Sequence, residues 1–71
     1  MEKVIHIEGM HCGHCTAAVE KALRALPGVE AVEVSLEKNE ARVKVADTLS
    51  DIMLAAVVTG AGFKVTGIDK L

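Results

Sequence analysis

The chain has 71 residues, a formal net charge of −2 and Phe63 as its one aromatic side chain. This acidic balance and the lack of Tyr and Trp argue against nucleic acid as the main partner, because nucleic-acid-binding surfaces are basic and commonly aromatic. No apolar run approaches the roughly 18 residues of a membrane-spanning helix. The length predicts one small domain, residues 1–71, with a thin core, since ten of the apolar residues are Ala and ten are Val.

The chain begins with a strand pattern over residues 3–8, in which Ile5 and Ile7 would face a core while His6 and Glu8 face water. We expect His6 to be a solvated strand residue and not a metal ligand. No secretory signal precedes this strand, so the expected compartment is the cytoplasm. There, two cysteines three positions apart indicate a metal or redox site more than a structural disulfide.

A Cys-x-x-Cys motif follows the strand. Residues 9–15, called the motif below, read Gly-Met-His-Cys-Gly-His-Cys and lie where the strand pattern gives way to a helix pattern. With a metal–sulfur bond of about 2.3 Å, two opposed thiolates lie roughly 4.5 Å apart, which Cys12 and Cys15 reach easily across a loop and a first helical turn. A helix start also favours anions through its unpaired N–H groups and positive dipole end. The motif therefore predicts that Cys12 and Cys15 share one metal ion.

A helical period runs from residue 15 to residue 26 and ends at the dipeptide Pro-Gly, residues 27–28. Its buried positions are Val19, Ala22, Leu23 and Leu26. Two strands joined by a polar turn at residues 37–40 then predict an antiparallel hairpin. The residues predicted to face the core are Val32, Val34 and Leu36 in the first strand and Ala41, Val43 and Val45 in the second.

A second helix is predicted to begin at a capping-box pattern, residues 48–51, and to end at Gly62. Its buried stripe is Leu54, Val57, Val58 and Ala61, and its outer face holds Ile52, Ala55 and Ala56. Residues 63–66 read as a short last strand. The order β-α-β-β-α-β predicts an α+β fold, the ferredoxin-like sandwich, with a four-stranded antiparallel sheet and both helices on one face.

The ligand types of the motif select among metals. Soft thiolates favour Cu(I), and two ligands can satisfy that ion, whereas a structural zinc site generally needs four protein ligands. His11 and His14 could in principle complete a Cys₂His₂ set, but they are poorly placed to converge with their own neighbours in a short loop. We expect both to be solvated loop residues, and an assisting role for either stays open.

From residue 7 to residue 65 the chain resembles the heavy-metal-associated domain, and within it small bacterial copper chaperones of the CopZ type. The resemblance rests on Gly-Met-x-Cys-x-x-Cys in the motif, Leu-Pro-Gly-Val at 26–29, Val-x-Val-x-Leu at 32–36 and Gly-Phe-x-Val at 62–65. It implies that Cys12 and Cys15 bind Cu(I), that Met10 packs beneath the loop as a core anchor and that Phe63 lies near the metal. It also implies delivery of copper to the metal-binding domain of a copper-transporting P-type ATPase.

Two relatives of the same fold stay open as alternatives. Bacterial chaperones usually have Tyr where this chain has Phe63, while pump-borne domains often have Phe, so the N-terminal metal-binding domain of a heavy-metal P-type ATPase is one alternative. A mercury-binding protein is the other, although its familiar examples carry a secretory signal. A two-thiolate copper site is coordinatively open, which predicts an apo monomer and a copper-bridged homodimer at high concentration.

Two further classes of protein use such motifs. A thioredoxin-like oxidoreductase also places Cys-x-x-Cys at a helix start, but that family has a Trp before the motif and a cis-Pro facing it. Here Trp is absent and Pro27 is the single proline. A protein-interaction module with an incidental motif leaves the position of the cysteines unexplained. We therefore predict a metal carrier and not an enzyme.

Overall fold

The computed structural model describes residues 1–11 and 13–70. Six elements follow one another along the chain: β1 (Glu2–Glu8), α1 (Gly13–Arg24), β2 (Val29–Ser35), β3 (Glu40–Val45), α2 (Asp51–Gly60) and β4 (Lys64–Lys70). The four strands form one antiparallel sheet in the order β2-β3-β1-β4. The predicted ferredoxin-like sandwich is confirmed. Among the described residues no helix is both long and apolar enough to cross a membrane.

The core lies between one face of the sheet and both helices. Period-2 alternation brings alternate strand residues to this face, and the i, i+4 stripe of each helix covers them. The buried side chains that form this core cluster are Ile5, Ile7, Met10, Val19, Leu23, Val32, Ala41, Val43, Val45, Leu54 and Val58. Burying a side chain of the size of Leu or Ile stabilises the fold by about 1.5–3 kcal/mol. Both helices are thereby fixed on the same face.

Helix α2 begins later than the capping-box pattern predicted. Ser50, not Thr48, is the N-cap residue, and its hydroxyl accepts a hydrogen bond from the backbone N of Met53 at 3.4 Å. Asp51 is then the first helical residue, where its carboxylate contacts the Nζ atom of Lys3. The first residue of α2 is thus in contact with β1. Gly62, with φ of +98°, follows the helix end as predicted.

Two boundaries in the strands also differ from the prediction. Leu36 does not face the core; it begins the β2–β3 turn, residues 36–39, and is 38% exposed. The apolar alternation of β2 continues to Leu36 in the sequence, although this residue already belongs to the turn and does not face the core. Strand β4 extends to Lys70 instead of ending at residue 66, because β1 pairs with it along its whole length.

The antiparallel order gives the sheet two distinct ends. At the motif end lie the end of β1, the β2–β3 turn and residues 61–63 before β4. At the opposite end lie the chain start, residues 25–28 and residues 46–50. The backbone N–H of Ala46 donates to the carbonyl O of Gly28 at 2.8 Å and joins two of these segments. Every segment that can position the motif therefore lies at one end.

Candidate metal centre

The chain leaves β1 through a sharp change of direction at Gly9. This residue has φ of +97°, a left-handed conformation that side chains with a Cβ atom rarely adopt. A Cβ atom on Gly9 would lie 3.7 Å from Cδ1 of Phe63, so the Phe63 ring lies against the first residue of the motif. Phe63 therefore lies beside the loop, and its position near a metal stays a prediction.

Met10 anchors the motif in the core. Its side chain is only 5% exposed and belongs to the core cluster, as the resemblance implied. A long thioether held in apolar packing is a core residue in this geometry, which leaves it out of the ligand set. The next residue, His11, is exposed. The motif is thus fixed to the core by the side chain of Met10, while the next residue, His11, is exposed to solvent.

Cys15 lies in the first turn of α1, as predicted, two residues after the helix begins at Gly13. It is half-buried and packs against the core cluster. The Thr16 hydroxyl donates to the carbonyl O of Gly13 at 2.8 Å and holds this turn closed. The first turn contains no acidic residue, so no carboxylate of α1 competes for its positive end. Cys12, the other predicted ligand, lies outside the described residues.

His14 is exposed, like His11, so both are solvated as predicted. The prediction that His14 is a loop residue is wrong, because α1 begins at Gly13 and His14 is its second residue. Within residues 1–11 and 13–70, no three His, Cys, Asp or Glu side chains are grouped so that they could hold a metal ion. The described part of the motif therefore contributes one thiol and a helix start to the candidate centre.

His6 has a partner that the sequence did not reveal. Its Nε2 atom lies 2.7 Å from Oδ2 of Asp69 in β4, and both side chains are substantially exposed. Gly67 lies opposite His6 in β4 and has no side chain to block this contact. A Cβ atom on Gly67 would lie 3.9 Å from Cδ2 of His6, which is an ordinary van der Waals distance. Asp69 lies beyond the predicted last strand, so neither periodicity nor spacing could place it beside His6. The expectation that His6 is not a metal ligand is compatible with this pairing and stays a prediction.

The end of β1 adjoins a surface depression of about 420 Å³. Residues from three segments of the motif end line it, namely the β1 end with the start of the motif, the β2–β3 turn and the β4 residue Thr66. A backbone hydrogen bond from the N of Ile7 to the O of Asn39, at 2.9 Å, connects two of these segments. The end of β1, from which the motif starts, is therefore attached to the β2–β3 turn.

A helix start that carries a thiol in its first turn can stabilise a thiolate and an anionic metal–thiolate complex. Packing of Cys15, Met10 and Phe63 against the core restricts the directions in which that thiol can point. A thiol held in this way is a soft ligand of the kind that Cu(I) and other soft metal ions prefer.

Comparison with known proteins gives the same picture over most of the chain. The heavy-metal-associated domain family matches residues 4–64. The copper chaperone CopZ of Staphylococcus haemolyticus is 56% identical over 43 residues, which are 61% of this chain and 63% of that protein, less than two thirds of each. Copper-transporting ATPase 2 of Rhizobium meliloti is 43% identical over 61 residues, covering 84% of this chain but only 7% of the pump.

Among solved structures, a CopZ metallochaperone superimposes with a TM-score of 0.89 at 31% sequence identity, covering 93% of this chain and all of the other. The similarity therefore extends from local sequence to the arrangement of all six elements. The family match spans β1 to the start of β4 and includes the whole motif. The chain belongs to the heavy-metal-associated domain family.

Proposed function

We propose that this protein is a cytoplasmic copper chaperone, which binds Cu(I) through the thiolates of Cys12 and Cys15 and passes it to a copper-transporting P-type ATPase. The observation that carries the proposal is the position of Cys15. It lies in the first turn of a helix whose preceding loop is pinned by the buried Met10 and covered by Phe63. The names of the similar CopZ chaperone and copper pump support copper as the cargo.

Thiolates are the soft ligands that Cu(I) prefers, and two of them can satisfy this ion. The complex of two thiolates with one Cu(I) has a net charge of −1. The positive end of α1 stabilises that charge, and the absence of an acidic residue from the first turn avoids repulsion. This arrangement binds metal without a redox or hydrolytic step, which supports a carrier in preference to an enzyme.

Transfer by ligand exchange follows from the low coordination number. A thiolate of the acceptor adds to Cu(I) and forms a third copper–sulfur bond, and one copper–sulfur bond to this protein then breaks. The oxidation state of copper is unchanged, and a proton lost by the incoming thiol goes to the departing thiolate. Because Cys15 is half-buried against the core, we assign first contact with the acceptor to Cys12.

The rate of Cu(I) exchange against acceptor concentration tests this function. The acceptor is a purified Cys-x-x-Cys domain of a copper pump, mixed under anaerobic conditions with copper-loaded protein. A rate that rises with acceptor concentration is expected for associative transfer. A rate fixed at the spontaneous dissociation rate at every acceptor concentration would contradict it.

Metal identity needs a second measurement, since a mercury carrier and a pump-borne domain share this site chemistry. Competition titrations with Cu(I), Zn(II) and Hg(II) should favour Cu(I) over Zn(II) by many orders of magnitude.

The copper complex should also form a bridged dimer at high concentration, while the apo protein elutes as a monomer. A thiol-coupled insulin-reduction assay should detect no turnover, in contrast to a thioredoxin control.

The second candidate, a metal-binding domain of a heavy-metal pump, is favoured by Phe63 and by the similarity to the Rhizobium meliloti ATPase. In that case the chain would accept copper from a CopZ-type chaperone faster than it returns copper to it. Transfer experiments in both directions with a CopZ-type chaperone separate the two, because a donor and an acceptor differ in which direction is faster.

A further inference from the structure

The pairing of β1 with β4 contains a bulge directly before the motif. The register runs regularly from Lys3 opposite Lys70 to His6 opposite Gly67, and then continues with Ile7 opposite Val65. Thr66 is therefore the extra residue of β4. Such bulges change the direction of a strand and the face to which its side chains point.

The extra residue has a direct effect on what reaches the motif. In a regular strand, residues three apart face opposite sides of the sheet. With Thr66 inserted between them, Val65 and Ile68 both pack against the core, and so does Phe63. Without the bulge, the side chains at the start of β4 would point to the opposite face of the sheet, and the Phe63 ring would not lie against Gly9. The bulge thus belongs to the support of the motif.

Two hydrogen bonds hold the end of β1 at this point, one from each side. The Thr66 hydroxyl donates to the carbonyl O of His6 at 3.2 Å. On the other side, the backbone N of Ile7 donates to the carbonyl O of Asn39, a turn residue with φ of +53°. The two bonds engage consecutive residues of β1, and only Glu8 lies between them and Gly9.

The same residues form one continuous surface with the motif. His6, Ile7, Asn39 and Thr66 line the 420 Å³ depression together with the described motif residues Gly9, Met10 and His11. A shift at the end of β1 would therefore be transmitted to the motif without passing through any flexible segment of several residues.

We propose that Thr66 is a positioning residue for the metal-binding motif. Its hydroxyl fixes the backbone at the end of β1, opposite the bulge, and thereby determines the position of residues 9–11, which follow β1. The proposal rests on the proposed copper binding for one of its two readouts. The other readout concerns the apo protein alone.

The test compares Thr66→Val, which keeps the branched shape and removes the hydroxyl, with Thr66→Ser, which restores the hydroxyl. Thr48→Val is the matched control, since Thr48 is an exposed threonine at the opposite end of the sheet. In the apo protein, hydrogen exchange of the Ile7 amide should accelerate about fivefold in Thr66→Val, the effect of losing one ordinary hydrogen bond. Exchange of the central-strand residue Val43 serves as the reference for global unfolding.

In the copper-bound protein, the Kd for Cu(I) should rise about three- to tenfold in Thr66→Val. It should return close to the original value in Thr66→Ser and stay unchanged in Thr48→Val. If Thr66→Val lowers the denaturant midpoint but leaves both the relative Ile7 exchange and the Cu(I) affinity unchanged, Thr66 is a structural residue and the proposal is overturned. A protein that binds no copper but shows the Ile7 effect supports the positioning role and contradicts the proposed function instead.

Discussion

The two helices begin in different ways, although the physics of a helix start is the same in both. At the start of α2 the protein satisfies its own donors and charges. Ser50 caps the helix, Asp51 occupies the first turn, and the Nζ atom of Lys3 contacts Asp51 and also lies 3.5 Å from the carbonyl O of Leu49. This start faces the opposite end of the sheet and is part of the fold.

The first turn of α1, residues 13–16, contains no carboxylate of its own and holds the thiol of Cys15 beside the exposed His14. The difference teaches that a positive helix end can serve either as a structural joint or as a site for an anionic ligand. Which role it takes depends on whether the chain brings its own anion. Four predictions test this distinction.

The largest effect should come from the thiols. Cys12→Ser and Cys15→Ser should each weaken Cu(I) binding by at least about 1,000-fold, or about 4 kcal/mol, because a hydroxyl is a poor ligand for a soft ion. The unfolding free energy should change little. Anaerobic competition with a chromophoric Cu(I) chelator measures the affinity, and urea unfolding measures the stability.

The matched change at the other helix start is Ser50→Ala. It removes the cap and should lower the unfolding free energy by about 1 kcal/mol while leaving Cu(I) affinity unaltered. The distinction between the two helix starts would collapse if Ser50→Ala weakened copper binding as strongly as a cysteine substitution.

A second prediction concerns the asymmetry of the contact between Lys3 and Asp51. The Lys3 side chain is 10% exposed and that of Asp51 is 56% exposed. Asp51→Ala leaves a nearly buried ammonium with only the Leu49 carbonyl and should cost about 2 kcal/mol. Lys3→Met keeps a similar shape, returns Asp51 to water and should cost less than about 1 kcal/mol. Urea unfolding measures both variants. If they lose the same unfolding free energy, the loss of the ion pair, and not the unpaired buried charge of Lys3, determines the destabilisation.

A third prediction uses two glycines of the motif. Gly9→Ala should lower the unfolding free energy by about 1–2 kcal/mol, because φ of +97° disfavours a Cβ atom. Gly13→Ala should raise it by about 0.4–1 kcal/mol, since the helix tolerates Ala there and a Cβ atom would meet no described atom within 4 Å. Thermal unfolding of the two apo variants compares them directly, and opposite signs are the expected result.

The sequence predicts the fold well where a periodic pattern continues through an element. The alternation of Ala41, Val43 and Val45 identifies the core face of β3, and all three are at most 1% exposed. It fails at Leu36, where the alternation continues although the hydrogen bond from Asn39 N to Leu36 O has already formed the turn. The capping-box pattern placed the start of α2 at Thr48, whereas Ser50 is the N-cap and Asp51, the first helical residue, contacts Lys3.

The candidate site divides in the same way. The spacing of the motif places Cys15 in the first turn of α1, and the resemblance correctly implies the buried Met10. The contacts of His6 with Thr66 and Asp69 join residues 60 and 63 positions apart. The contact with Thr66 lies at a bulge in β4, and the Gly, Asp and Lys of residues 67–70 give that strand too little apolar alternation to predict its length. Long-range register is the part that local patterns do not contain.

The smallest expected effect gives the most direct comparison of the two helix starts, because the substitutions add the same charge at the same position of both helices. His14 and Ile52 are each the second residue of their helix, and both are exposed. Glu at either position should stabilise the apo protein by about 0.3–1 kcal/mol through the helix dipole at low ionic strength. Only His14→Glu should weaken Cu(I) binding, by about two- to fivefold, because its carboxylate repels the anionic copper–thiolate complex. His14→Gln removes the imidazole without adding charge and should bind copper almost as the original protein does. Raising the salt concentration to 1 M should reduce the effect of His14→Glu, since the Debye length falls to about 3 Å. If Ile52→Glu weakens copper binding equally, or if His14→Gln accounts for the whole loss, the start of α1 has no special role in holding the charge of the complex.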